Sequence, residues 1–233
     1  MGIRVHGGAG LKVLLCGEGV HDVGRIEHWS IREAKKVTQP GWLQAVLLKA
    51  LGPDTEFIVV PRSRLVSFSG AGQPRHNPRG HGAKAQIAKY RAISEGCDVV
   101  VFMIDADTAD ENGWAEKRNQ VIVGFETINS EVKSVACIPM SASESWLLSD
   151  SEAWRELGLE DTDALPSHPE RIWGSRQDPN SSHPHCLFRK ICNIAGVADS
   201  RETRVALMDA SSIDRLRESC PTSFVAFMAD LAA

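Results

Sequence analysis

The sequence predicts an α/β fold: a mostly parallel four-stranded sheet flanked by helices, followed by a helical C-terminal extension. Three observations carry that expectation. Short β-branched runs recur between helix-like segments, the pattern of βαβ units with parallel strands. One of these runs, residues 98–104 (DVVVFMI), is apolar almost throughout, as a strand buried on both faces must be. After residue 140 the strand pattern stops and helical pieces take over.

Taken in order, residues 11–16 (LKVLLC) form the first expected strand, which runs into a tight turn at Gly17-Glu18-Gly19. Helical material is expected over 25–36 and 42–51, the second closed by Gly52-Pro53. Residues 57–60 (FIVV) make the second strand, stopped by Pro61. A polar, Gly/Pro-rich stretch over 67–82 precedes a helix over 83–95. The third strand is the 98–104 run, a helix over 114–128 follows, and 132–138 is the fourth strand. Helices over 144–150, 151–157, 185–195, 201–208, 213–219 and 224–231 make up the extension, with 168–185 as a Pro/Ser/His-rich loop. The expected division is a core over 11–140 and a helical extension over 141–233 packed on it.

Bulk properties bound the function. With 233 residues, 42% hydrophobic and 24% charged, the chain has material for a real core. A formal charge of −4 is not that of a protein that coats nucleic acid non-specifically. Six cysteines are scattered with no C-x-x-C pair, and Cys16, Cys97 and Cys137 lie in or beside apolar runs. Reduced structural thiols and a cytoplasmic location are expected, and no zinc ribbon. The N-terminus has no signal-peptide apolar segment, its Met-Gly start is only formally like a myristoylation signal, and no apolar run is long enough to span a bilayer.

In parallel sheets ligands gather beyond the carboxyl ends of the strands, and two acidic motifs lie at such ends. Gly17-Glu18-Gly19 follows the first strand, where small flanking residues let the chain turn sharply. Asp105-Ala106-Asp107 follows the third, and residues two apart on an extended chain face the same side. Converging carboxylates repel one another, and a hard divalent cation, Mg²⁺ or Mn²⁺, removes the repulsion. Such a site supports phosphoryl transfer or phosphodiester hydrolysis. Taken singly, each motif is also what a solvated turn or a helix cap looks like.

Charge is unevenly spread. From residue 57 to 94 there is no acidic side chain, yet Arg62, Arg64, Arg75, Arg79, Lys84, Lys89 and Arg91 are present. From 102 to 163 there are fourteen acidic and four basic residues, a balance of 4 − 14 = −10. Because the basic stretch leaves the second strand, it is expected over the same sheet edge, with Arg62, Arg64, Arg75, Arg79 and Lys84 as contacts to a phosphate backbone. A merely solvated basic surface is the competing reading. With Phe68 and Tyr90 the only aromatics after Phe57 in that stretch, base-specific reading is not expected there.

These residues resemble the Toprim fold, a Rossmann-like module of topoisomerases, primases and OLD-family nucleases. The resemblance rests on the glutamate of Gly17-Glu18-Gly19 and the D-x-D of Asp105-Ala106-Asp107, and covers roughly residues 11–140. Within that fold the chain looks most like a family of small bacterial proteins often encoded beside ATPases in phage-defence or mobile loci. The segments Glu144-Ser145-Trp146-Leu147-Leu148-Ser149-Asp150 and Cys220-Pro221-Thr222-Ser223-Phe224 match that family's pattern.

The resemblance implies Mg²⁺- or Mn²⁺-dependent cleavage of nucleic acid, DNA in the first instance, in anti-phage defence. It implies Glu18, Asp105 and Asp107 as catalytic residues and metal ligands. Glu144 is either a further ligand or a structural carboxylate. Asp22 either reaches the same metal or caps a helix. An ATPase partner is implied, since the chain has no Walker A motif, and a homo-oligomer is compatible. Tyr90 is the only tyrosine, in a helical setting, so a covalent tyrosyl intermediate is disfavoured. Two alternatives stand beside this reading. Residues 99–108 (VVVFMIDADT) also fit the nucleophile motif of haloacid-dehalogenase-like phosphatases, with Asp105 as nucleophile and Asp107 as acid/base. A non-catalytic Toprim regulatory subunit is the other. The five histidines from His76 to His185 have no convincing zinc spacing.

Overall fold

A computed structural model describes residues 10–25, 35–36, 39–62, 65 and 80–233. Its sheet has the order β2-β3-β1-β4-β5. Four strands, β1 (Lys12–Gly17), β3 (Glu56–Pro61), β4 (Val99–Met103) and β5 (Lys133–Cys137), are mutually parallel. The two-residue β2 (Lys35–Lys36) pairs antiparallel with β3 at the edge. The expected α/β architecture is therefore the observed one, with one short antiparallel strand added. That addition is a correction: 35–36 lie in a strand and not in a helix, and Arg25 bridges Gln39 in antiparallel fashion. The rest of the helix expected over 25–36 falls outside the described residues.

Alternation along the strands builds two cores. Val13 and Leu15 of β1 and Val99, Val101 and Met103 of β4 face one side of the sheet. They pack there with Val23 of α1 (Val20–Val23) and Trp42, Leu43, Val46 and Leu47 of α2 (Trp42–Leu51). Leu14, Cys16, Val100, Phe102 and Ile104 face the other side. They meet Ala85, Ala88 and Ala92 of α3 (Gly80–Ser94) and Val121 and Phe125 of α4 (Glu111–Glu126). A side-chain period of two on a sheet covered on both faces produces this split. The expected helix over 83–95 thus begins three residues earlier, at Gly80.

The C-terminal helices belong to the first core. They are α5 (Glu144–Leu147), α6 (Ser151–Glu156), α7 (Pro184–Ile194), α8 (Arg201–Ala210), α9 (Ile213–Ser219) and α10 (Ser223–Ala232). Trp146, Phe188, Leu207, Phe224 and Phe227 join Val13 and Val101 in one apolar cluster. Trp146 sits edge-on to Trp42 at 6.0 Å and to Phe224 at 5.0 Å, pairs that each add about 0.5–1.5 kcal/mol beyond area burial. Its indole N–H donates to Ser223 Oγ at 2.8 Å. The two C-terminal segments that carry the finer family resemblance therefore pack against each other as core. All six cysteines are free and buried, Cys16, Cys97 and Cys137 as their apolar settings suggested. Among the described residues no helix is long and apolar enough to cross a membrane.

The order of the parallel strands fixes a crevice. Chain leaving β1 passes through α1 and α2 to β3 on one side, whereas chain leaving β4 passes through α4 to β5 on the other. α2 and α4 cover opposite faces of the sheet. β1 and β4 are neighbours, so their carboxyl ends flank a topological switch point, where parallel sheets bind ligands.

Candidate functional site

Glu18 follows β1 and the Asp105–Asp107 segment follows β4, at the two sides of this crevice. The turn after β1 needs its glycines for space. A Cβ on Gly17 would meet Val23 Cγ1 at 2.6 Å, and one on Gly19 would meet Asp22 Oδ2 at the same distance. A single helical turn, α1, folds back over the strand end and delivers Asp22 into the crevice. Asp22 accepts a hydrogen bond from Trp42 Nε1 at 2.7 Å and lies 3.5 Å from Ser143 Oγ. Among the described residues it caps no helix, since it sits within α1 behind its N-cap Gly19.

Beyond β4 the chain keeps hydrogen-bonding to the segment that follows β5 (Lys133–Cys137). Ala106 N–H donates to Pro139 O at 2.8 Å and Thr108 N–H to Met140 O at 3.2 Å, so the segment continues alongside 137–140. Ala106 enters the core against α3 and α4. Asp105 is buried beside Ser143 and Glu144, whereas Asp107 is exposed and pairs with Lys117 of α4. Asp107 carries a φ of 51°, the only non-glycine positive φ among the described residues. Aspartate tolerates that left-handed conformation better than most residues, and such outliers concentrate at ligand sites.

Four carboxylates interact here. Burial pushes the Asp105 carboxyl well above its usual range, and the charges of Glu144, Asp22 and Asp107 push the same way; a backbone hydrogen bond from Ser143 opposes them. Asp105 Oδ1 is sealed from solvent and has no hydrogen-bond partner. Asp22 is also raised, by burial first, against the pull of the Trp42 hydrogen bond.

Glu144 is settled differently. Burial would raise its carboxyl, but the His185 hydrogen bond and the Arg204 charge outweigh burial and bring it to about 2. Its Oε1 lies 3.1 Å from His185 Nδ1 and 2.9 Å from Arg204 Nη2. Arg204 is itself buried, bonded to Asp199 Oδ1 through Nε at 3.0 Å and Nη2 at 2.9 Å, and stacked 4.7 Å over the Phe188 ring. Of the two roles open to Glu144, this partner set is that of a structural carboxylate at the start of α5.

Cations rim the crevice. Arg62, one residue past β3, forms an ion pair with Glu18. Lys117 of α4 reaches Asp107 Oδ2 at 3.5 Å and donates to the Asp105 carbonyl at 3.3 Å. His81 lies 3.5 Å from Arg62 Nη1; burial lowers its pKa, and the charges of Lys117 and Arg62 lower it further. His183 caps α7 and senses both Glu144 and Asp107. Lys84 Nζ is spent on the Leu65 carbonyl at 2.5 Å. Arg64, Arg75 and Arg79 lie outside the described residues.

The crevice thus brings Asp105, Asp107, Glu144 and Asp22 into electrostatic contact and places Glu18 with Arg62. Among the described residues no three His, Cys, Asp or Glu side chains stand close enough to hold a metal ion as arranged. Sequence reading did not single out Lys117 or Arg204, and it weighed His81 and His185 only for zinc, for which their spacing is not convincing. For Arg204 a signal existed: it shares the buried face of α8 with Leu207 and Met208, an unusual place for an arginine without a partner. Comparison of the chain with family models, with curated proteins and with solved structures returns no match.

Proposed function

We propose that this chain hydrolyses nucleic-acid phosphodiesters with Mg²⁺ or Mn²⁺ bound in the crevice between β1 and β4. The carrying observation is the sealed, unpartnered Asp105 Oδ1 at a switch point of the sheet, beside Asp22 and Asp107. A buried oxygen without a donor costs about 1–3 kcal/mol unless a ligand supplies the missing partner. The candidate donors are all oxygen, which suits a hard cation and fits the group. Asp105 and Asp107 would hold it, with Glu18 and Asp22 at its edge; Glu144 would stay with Arg204 and His185. When bound, the cation neutralises a phosphate oxygen and lowers the pKa of a bound water.

The chain's own residues supply the rest. Arg62, half-exposed beside the crevice, binds a backbone phosphate, and Glu18 accepts a proton once Arg62 turns to substrate. Lys84 steadies the chain after β3 through the Leu65 carbonyl. DNA as substrate, an ATPase partner and a part in anti-phage defence rest on the family resemblance alone.

Cleavage of plasmid and oligonucleotide DNA and RNA with Mg²⁺ or Mn²⁺ tests this reading. Metal-dependent nicking by the wild type, lost in Asp105→Asn and Glu18→Gln, is expected. Intact nucleic acid together with beryllofluoride trapped on Asp105 would replace the nuclease by the phosphatase. Neither activity, with binding to an ATPase retained, would leave a regulatory module.

A further inference from the structure

At the rim of the crevice, Arg62 and Lys117 are paired with the carboxylates expected to serve a metal. Arg62 holds Glu18 and Lys117 holds Asp107. They come from different elements, the end of β3 and the middle of α4. His81 of α3 feels the charge of both and of Asp107, so the three side chains bound one small volume. Each pair is partly exposed: Glu18 and Asp107 side chains are 50% and 69% accessible. Pairs that open to solvent are weak and exchange readily. Asp105 Oδ1 is sealed and unpartnered, and Lys117 reaches only the Asp105 backbone carbonyl.

We propose that Arg62 and Lys117 form a phosphate seat that the crevice's own carboxylates keep closed, so that divalent cation and phosphate bind cooperatively by ion exchange. A cation arriving at Asp105 and Asp107 displaces Lys117, and the loss of that pairing frees its ammonium for a non-bridging phosphate oxygen. Phosphate drawing Arg62 away leaves Glu18 open in the same way. The coupling is reciprocal: each ligand raises the affinity of the other by one common factor. The site then stays shut to phosphate esters until the metal is present. Lys117 also acquires an unusual pair of roles, competitor of the metal and binder of the substrate. This inference rests on the metal reading above and adds the coupling between cation and phosphate, with Lys117 as the residue that gates it.

The experiment measures Mn²⁺ affinity from the electron paramagnetic resonance signal of the free ion, with and without dimethyl phosphate, for wild type, Lys117→Met and Arg62→Met. Dimethyl phosphate affinity is read from ³¹P relaxation. Lys117→Met is expected to bind Mn²⁺ about two- to fivefold more tightly, because its competitor is gone, and dimethyl phosphate at least about fivefold more weakly. In the wild type, dimethyl phosphate tightens Mn²⁺ binding, and both substitutions reduce that coupling. A purely structural lysine would give weaker or unchanged Mn²⁺ binding, and that result overturns the exchange while leaving the metal reading intact. A wild-type protein that takes up no Mn²⁺ removes the metal reading and the exchange together.

Discussion

Glu144 and Asp105 are carboxylates of one crevice with opposite fates. Glu144 is buried at the start of α5 and satisfied by two side chains from the C-terminal helices, Arg204 and His185, which hold its carboxyl at about 2. Among the described residues, the carboxyl of Asp105, just past β4, has no cation paired with it, and its Oδ1 has no hydrogen-bond partner. Burial pushes both carboxyls up; His185 and Arg204 bring Glu144 down, whereas the charges of Glu144, Asp22 and Asp107 push Asp105 further up. The difference teaches that shared acidity does not mean shared work. Glu144 closes an ion network that ties α5 to α7 and α8, whereas Asp105 is left in want of a ligand. Asp22, with one indole donor, stands between them.

The largest test of this contrast is Glu144→Ala. It strands Arg204 in the core with only Asp199, and breaking a buried pair from one side costs about 3 kcal/mol or more. A fall in melting temperature of about 6–12 °C is expected by calorimetry; a change under about 2 °C would show that Asp199 alone suffices.

Trp42→Phe comes next. It removes the sole indole donor to Asp22, with an expected loss of about 1.5 kcal/mol in urea denaturation.

Asp105→Asn carries the opposite sign. In the presence of a chelator, removing an unpartnered buried charge is expected to leave stability unchanged or raise it by about 1 kcal/mol at neutral pH. The same contrast shows in pH dependence. The folded state holds the Asp105 proton more tightly than the unfolded state. Its contribution therefore makes stability fall as pH rises from the ordinary carboxylate range through the raised folded value. Glu144 works the other way: its contribution is full above its ordinary value of 4.5 and is lost as pH falls toward 2. Urea midpoints from pH 2 to 8 for wild type, Asp105→Asn and Glu144→Gln would separate the two slopes, and slopes of one sign would end the contrast.

The smallest effect belongs to Asp107→Asn. Asparagine also adopts positive φ, and the Lys117 pair it removes is exposed, so stability should move by less than about 0.5 kcal/mol. A larger loss would mean that Asp107 is a structural anchor like Glu144.

Much of this was legible beforehand. The four parallel strands announce themselves as local β-branched runs, and α2 and α9 have the expected bounds. At 35–36 the helix expectation misled, because these two lysines gain their order from pairing with β3. The site divided along the same line. Glu18, Asp105 and Asp107 are visible as acidic residues just past strand ends. Lys117 is a helix-surface lysine like any other until α4 is laid beside β4.

By itself the sequence determined the four parallel strands, their burial and the acids just past two strand ends, because strand burial and turn chemistry are written in neighbouring residues; the order that sets β1 beside β4 came from the tertiary structure. Only the tertiary structure decided which acid is satisfied. The partners of Glu144 lie 41 and 60 residues away, and a carboxylate's charge state is set by burial and by charges brought from distant elements. The same long-range packing that sealed Asp105 Oδ1 away from water gave it no donor.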